Sequence, residues 1–295
     1  MSQVKPNFLI CGTMKGGTTW LYKLVDMHPQ IYTPRSKIKE IHFFDINYKK
    51  GLDWYLKFFA EAKYNNYKAI GEKTPSYMYL EEIPERIHSM FPDMKLIFIL
   101  RNPVDRAYSH YWHAVTKWVV EYLPFEQALE LEKERISIDT WHKIHYSYLD
   151  RGKYIEQLER FEKYFSKDQM LVIILEELVR DPETNLRRVL EFLEVESGQN
   201  ILEYYKKSGA LKAPVNKGKS PRSYFLNKVG IKIAQLVGIN KPPGSAIRYL
   251  LKRINMKEGY PEMKPTTRAR LLKYYSEYNK RLAKHLGKDL IEWNK

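Results

Sequence analysis

Cysteine is almost missing from this chain, with a single residue, Cys11, in 295. One thiol cannot build a disulfide framework, so a reducing compartment, the cytoplasm, is the expected home. Long apolar runs are missing too. No segment nears the roughly 18 apolar residues that a membrane-spanning helix requires. The only early apolar run, Phe8 to Cys11, is too short for the core of a secretory signal, and none is expected. His, Cys and acidic residues do not gather at metal-ligand spacing, so no metal is expected. Acids are the scarcer charge: 35 Asp and Glu stand against 50 Lys and Arg, a net charge of +15. The deficit is sharpest from Ile201 to Tyr260, where 13 cations meet only Glu203 and Glu258. Such a field turns away basic partners and favours a nucleotide, an acidic polymer or an anionic membrane surface. A solvated basic face explains the same pattern.

Glycine is sparse at 14 residues, which makes its clustering informative. In Asn7-Phe-Leu-Ile-Cys-Gly-Thr-Met-Lys-Gly-Gly-Thr-Thr-Trp20, an apolar run breaks at Gly12, passes through Gly16-Gly17 and opens into a periodic segment led by Leu21, Leu24 and Val25. This pattern predicts a strand, a glycine turn and a helix N-terminus, which together aim backbone N–H groups and a positive dipole end at one anion. Thr18 and Thr19 add hydroxyl donors, and Lys15 adds a mobile cation. Aligned on Gly12, a nucleotide-binding Walker A loop would carry lysine at position 18, where this chain has Thr18; its nearest lysine is Lys15. The loop is P-loop-like with its cation moved. An empty βα turn is the plainer alternative.

Further apolar runs predict strands near 29–34, Leu96–Leu100 and Met170–Leu175. Helical patterns cover 54–62, 80–90, 125–135, 154–164, 182–193 and 268–286, and Gly71–Tyr77 reads as a turn. Strands alternating with helices predict a three-layer α/β fold around a mainly parallel central sheet, in a single domain over residues 1–295. In such sheets ligands bind beyond the carboxyl ends of the strands. Arg101 directly follows the Leu96–Leu100 strand, and Ser109 lies on the next helix, a pairing that suits a second phosphate. A phosphoryl-transfer enzyme would need a metal-holding carboxylate where Arg101 stands. Two cationic phosphate stations point instead to transfer of a less charged group, such as sulfuryl.

These motifs together resemble sulfotransferases that use 3′-phosphoadenosine 5′-phosphosulfate (PAPS), above all bacterial members and the heparan-sulfate branch. Lys15-Gly-Gly-Thr-Thr19 is similar to the family's 5′-phosphosulfate loop, followed by Trp20, and Arg101-Asn-Pro-Val-Asp-Arg-Ala-Tyr-Ser109 to its 3′-phosphate segment. Glu40-Ile-His-Phe-Phe-Asp45, Glu72-Lys-Thr-Pro-Ser-Tyr77 and Arg151-Gly-Lys-Tyr154 resemble further motifs of that branch. The resemblance implies PAPS as sulfate donor, adenosine 3′,5′-bisphosphate as product, a hydroxyl acceptor and no nucleic-acid partner. It implies Gly16, Gly17, Thr18, Thr19 and Trp20 around the donor, with Arg101 and Ser109 on the 3′-phosphate. Glu40 is the implied base, His42 and Asp45 orient it or the acceptor, and Lys15 and Lys73 flank the transferring group. His42 is the second candidate base, since an unperturbed imidazole titrates nearer neutrality. Lys217-Gly218-Lys219 is similar to a nucleotide-covering Lys-Gly-Arg loop, with lysine for the arginine and without the branch's paired cysteines.

The acceptor is less legible. Carbohydrate or glycolipid is favoured, with a small-molecule hydroxyl as the other option. The aromatics between Tyr108 and Tyr148 could stack on sugars, although core packing explains them more simply. The stretch Tyr224–Val237 could lie on an anionic membrane or dock as an ordinary helix. Two other classes compete with a sulfotransferase: a P-loop-like kinase, and a non-catalytic binder of acidic polymer or membrane.

Overall fold

The computed structural model describes residues 4–34, 40–214, 219–221, 223, 229 and 256–295. The chain forms two compact units, Met1–Arg101 with Tyr154–Pro214, and Asn102–Lys153 with Val215–Lys295.

The first unit is built on a five-stranded sheet. Its strands are β1 (Phe8–Gly12), β2 (Ile31–Tyr32), β3 (Ala69–Lys73), β4 (Lys95–Leu100) and β5 (Met170–Ile174). They run in the order β2-β3-β1-β4-β5, and every pairing is parallel. A parallel sheet is covered on both faces, so its strands read as unbroken apolar runs. The side chains of β1 and β4 alternate accordingly. Phe8, Ile10, Ile97 and Ile99 pack into one cluster with Leu21, Leu24, Leu178, Leu186, Leu190 and Leu202. On the other face, Phe98 meets Phe161 edge-on at 5.0 Å between ring centres. Helix α1 (Thr18–Asp26) joins the first cluster by burying Trp20, Leu21, Leu24 and Val25. The predicted α/β layering with a central parallel sheet is the fold observed.

Two local expectations are corrected. Gly71, Glu72 and Lys73 end strand β3 and do not belong to a turn; only Thr74 onwards leaves the sheet. The two charged residues disguise the strand, yet Glu72 and Lys73 are only 2% and 5% exposed because partners at the sheet's carboxyl edge hold them. The helix expected over 54–62 is α-helical only from Leu52 to Leu56 and tightens to a 3₁₀ form over Lys57–Tyr64.

The described residues of the second unit are mainly helical, with a two-stranded antiparallel ribbon of β6 (Lys219–Pro221) and β7 (Met256–Glu258). Helix Pro103–His113 begins as its sequence predicts, with proline in the first turn and the Asn102 side chain accepting from the Val104 amide at 3.0 Å. Its buried face joins Phe125, Leu129, Leu271 and Tyr275 in a separate core. Tyr111, Trp112 and Tyr148 are buried there, so packing accounts for them, while Trp118, Trp141 and His142 stay half-buried. The helix expected over 125–135 splits at Leu131 and turns Glu132 inward, where it accepts from the Leu149 and Asp150 amides at 2.6 and 2.7 Å. Residues 224–228 and 230–237 of the amphipathic stretch lie outside the described residues.

Candidate active site

Strand register brings the candidate motifs of the first unit to one edge. Ile10 pairs with Lys73 across β1 and β3, and Ile10 with Ile97 across β1 and β4. The loop after β1 is stitched to both neighbours. Thr13 donates its amide to the Ile99 carbonyl at 2.7 Å, and Thr74 and Met78 donate theirs to Ile10 and Cys11 at 3.2 and 2.9 Å.

Both loop glycines are demanded by the backbone. A Cβ on Gly16 would stand 2.5 Å from the Ile99 carbonyl oxygen. Gly17 has φ +100°, the left-handed region that glycine enters at no steric cost. Gly17 caps α1, and its carbonyl accepts from the Trp20 and Leu21 amides at 2.9 and 3.2 Å. The Thr18 and Thr19 amides open the first turn and so have no intrahelical acceptor, and no side chain caps the helix. Lys15 is half-buried in the loop. The Trp20 ring N–H is committed to the Ala210 carbonyl at 3.0 Å, so that side chain ties the helix to its own unit.

The central cluster joins this loop to the Glu40–Asp45 motif. Lys73 Nζ donates to Glu40 Oε1 at 2.8 Å and reaches Thr19 Oγ1 at 3.5 Å. The His42 ring lies between two carboxyls, with Nε2 3.4 Å from Glu40 Oε2 and Nδ1 2.8 Å from Asp45 Oδ2. Asp45 also accepts from the Ser76 hydroxyl and, at 2.7 Å, from the Ile46 amide. Burial opposes the charge on both Glu40 and His42, but the neighbours win. The hydrogen bond to His42 and the Lys73 charge bring Glu40 down to about 2. Hydrogen bonds to Asp45 and Glu40, with their charges, bring His42 up to about 10. Glu40 is therefore a carboxylate between two cations, and His42 an imidazolium with both ring N–H groups engaged. Glu72, fully buried beneath, is pushed up to about 7 by desolvation against the pull of the Thr74 and Tyr77 hydroxyls.

The remaining predicted residues fall elsewhere. Arg101 ends the first unit, half-buried, and its carbonyl accepts from the Tyr154 hydroxyl at 2.8 Å. Ser109 is buried on helix Pro103–His113 of the second unit. Arg151 is buried in that unit too, with Nε donating to Ser147 Oγ at 3.1 Å. Lys217 and Gly218 lie outside the described residues, as does the side chain of Lys219, whose backbone opens β6. Sequence reasoning gave no role to Thr74, Ser76 or Tyr77. The run of hydroxyls directly after a strand's end was the available signal.

The fold and site define a class: an α/β protein whose first strand, glycine turn and helix N-terminus, with no side-chain cap, lie beside a carboxylate held by lysine and histidine. The family model described as "Sulfotransferase domain" matches residues 5–225, and the chain belongs to that family. The mouse (Mus musculus) bifunctional heparan sulfate N-deacetylase/N-sulfotransferase 4 is 33% identical over 300 residues, covering 98% of this chain and 31% of that protein. The human (Homo sapiens) heparan sulfate glucosamine 3-O-sulfotransferase 6 is 37% identical over 189 residues, covering 64% and 52%. The chain thus spans between 31% and 52% of these relatives' length. A sulfotransferase crystal structure from Alicyclobacillus acidocaldarius matches with a TM-score of 0.69 at 26% identity, covering 99% of this chain and 100% of that one. The resemblance noted in the sequence is borne out.

Proposed function

We propose that this chain transfers the sulfuryl group of PAPS to a hydroxyl of an acidic carbohydrate, with Glu40 as the base. One observation carries the reading: Lys73, 5% exposed, reaches both the Thr19 hydroxyl of the anion cradle and the Glu40 carboxylate. Donor loop and base share one cation, which sets the base beside the group to be transferred.

The donor supplies an activated sulfur and a bisphosphate leaving group. The chain supplies the rest. The Thr18 and Thr19 amides, the Thr19 hydroxyl and Lys15 suit the 5′ end of such a donor, and Arg101 suits its 3′-phosphate. As the sulfur–oxygen bond breaks, charge grows on the bridging oxygen, and Lys15 and Lys73 favour that state over the ground state.

Of the two candidate bases, the electrostatics favour Glu40, because a protonated His42 has no lone pair to offer. A carboxylate held near 2 is itself a feeble base. A donor that draws the Lys73 ammonium onto its own oxygens removes one of Glu40's two cations, and the carboxylate's proton affinity rises. Asp45 and Ser76 then keep the His42 ring in place. The carbohydrate acceptor is supported by the heparan-sulfate relatives and by the cationic charge of the chain.

A thermal-shift comparison tests the donor class, because a ligand that binds only the folded state raises the melting temperature by mass action. Adenosine 3′,5′-bisphosphate is expected to shift it by several degrees in the absence of magnesium, and ATP to shift it little. A magnesium-dependent shift with ATP alone would favour a kinase. No shift with either would favour a non-catalytic binder.

A further inference from the structure

The Glu40–Asp45 motif hangs on a backbone that something must hold in place. His42 has φ +53°, a left-handed conformation that is costly for a residue other than glycine. Three consecutive amides of this loop are taken by two hydroxyls. His42 donates to Thr74 Oγ1 at 3.3 Å, while Phe43 and Phe44 donate to the Tyr77 hydroxyl at 2.8 and 3.4 Å. Thr74 and Tyr77 are completely buried, and so, to within 2%, is the carboxyl behind them, Glu72. Glu72 Oε2 accepts the Thr74 hydroxyl proton at 2.8 Å. A hydroxyl has one hydrogen, and its direction fixes where the lone pairs face. With that hydrogen committed to Glu72, the lone pairs of Thr74 are left for the His42 amide.

Glu72 is an uneconomical choice if packing were its only duty. Its carboxyl is buried among the hydroxyls of Thr74, Tyr77 and Tyr55, with no ion pair to a cation among the described residues. Burying a carboxyl with no cation against it is unfavourable, and an apolar side chain of similar shape avoids that cost. We propose that Glu72 is a positioning residue for sulfuryl transfer, acting through the Thr74 hydroxyl to hold the left-handed His42 backbone and so to align Glu40, His42 and Asp45. The inference rests on the reading of Glu40 as the base, but its tether is measurable without turnover.

The test combines kinetics with amide hydrogen exchange at His42, Phe43 and Phe44, in Glu72→Gln, Thr74→Val, Thr74→Ser and the double variant Glu72→Gln/Thr74→Val. Gln keeps the shape of Glu72 but exchanges one acceptor for a donor. Glu72→Gln and Thr74→Val should each lower kcat by about tenfold or more, leave the PAPS KM within about twofold, and speed exchange of the His42 amide. Thr74→Ser, which keeps the hydroxyl, should return to within about threefold of wild-type kcat, and the double variant should lose no more than the worse single one, as expected of residues in one chain of contacts. Wild-type kcat and exchange in a folded Glu72→Gln would overturn the proposal, as would losses that simply add. If Glu72→Gln does not fold, the Thr74→Val and Thr74→Ser pair decides. Glu40→Gln is the control: if it turns over normally, the base assignment falls, while the exchange data still decide the tether.

Discussion

At the residue scale the site is a chain of shared protons and charges, Asp45–His42–Glu40–Lys73, each side chain within 3.4 Å of the next. Lys15 is assigned to the charge that develops on the leaving group, so Lys15→Ala should lower kcat by on the order of 10²–10³, as loss of an oxyanion-type donor does; steady-state rates at saturating donor measure it, and unchanged turnover removes the role. The His42 ring yields a stability prediction. Its pKa rises from an ordinary 6.5 to about 10 on folding, so its contribution is complete below 6.5 and fades as pH climbs through 10. Glu40 has the opposite sign, contributing above its ordinary 4.5 and losing that contribution as pH falls towards 2. The stability margin of wild type over His42→Gln should therefore be widest between these ordinary values and shrink steadily on the alkaline side. Urea unfolding at a series of pH values measures it; a margin that grows with pH contradicts the assignment. Glu40, His42, Asp45 and Lys73 were legible in the sequence through their motifs. Thr74, Ser76 and Tyr77 were not, because a hydroxyl reveals its partner only once the loop is folded over it.

At the element scale the anion cradle depends on how tightly β1 turns into α1. Gly17 combines φ +100° with a close neighbour, since an added Cβ would lie 2.6 Å from Leu175 Cδ1. Gly17→Ala should cost about 1–3 kcal/mol of folding stability through backbone strain alone, read from the urea midpoint, and should weaken adenosine bisphosphate binding in the same preparation. An unshifted midpoint would mean that the turn is slacker than its dihedral implies. The strands with continuous apolar runs, β1, β4 and β5, were legible because both faces of a parallel sheet are covered. Strand β3 was not. Its last two residues, Glu72 and Lys73, are charged and held by polar partners at the sheet's carboxyl edge, which breaks the apolar run that marks a buried strand. The 3₁₀ stretch Lys57–Tyr64 was missed for another reason: its aromatic and apolar spacing suits either helix type.

At the scale of the whole molecule, 50 cationic side chains against 35 acids set up a positive field, which favours anionic ligands over basic ones. With an acidic polysaccharide as acceptor, kcat/KM should fall by about tenfold between roughly 0.05 and 0.5 M salt as the Debye length shrinks, while kcat holds nearly constant. A salt-independent kcat/KM would separate the charge excess from acceptor capture. Among the described residues no helix is long and apolar enough to cross a membrane. The α/β class and the family membership were readable from several motifs in one order along the chain. The division into two units was not, because both are discontinuous in sequence and no linker composition marks their boundaries.

The most direct test is transfer of labelled sulfate from PAPS to a desulfated heparan-type oligosaccharide by wild type, Lys15→Ala and Glu40→Gln, with adenosine bisphosphate binding measured on the same samples. Label should enter the saccharide with wild type, fall by about 10² or more with either variant, and leave nucleotide binding by Glu40→Gln intact. Equal transfer by wild type and Glu40→Gln, or no nucleotide binding by wild type, would contradict a carboxylate base beside a sulfate-donor cradle.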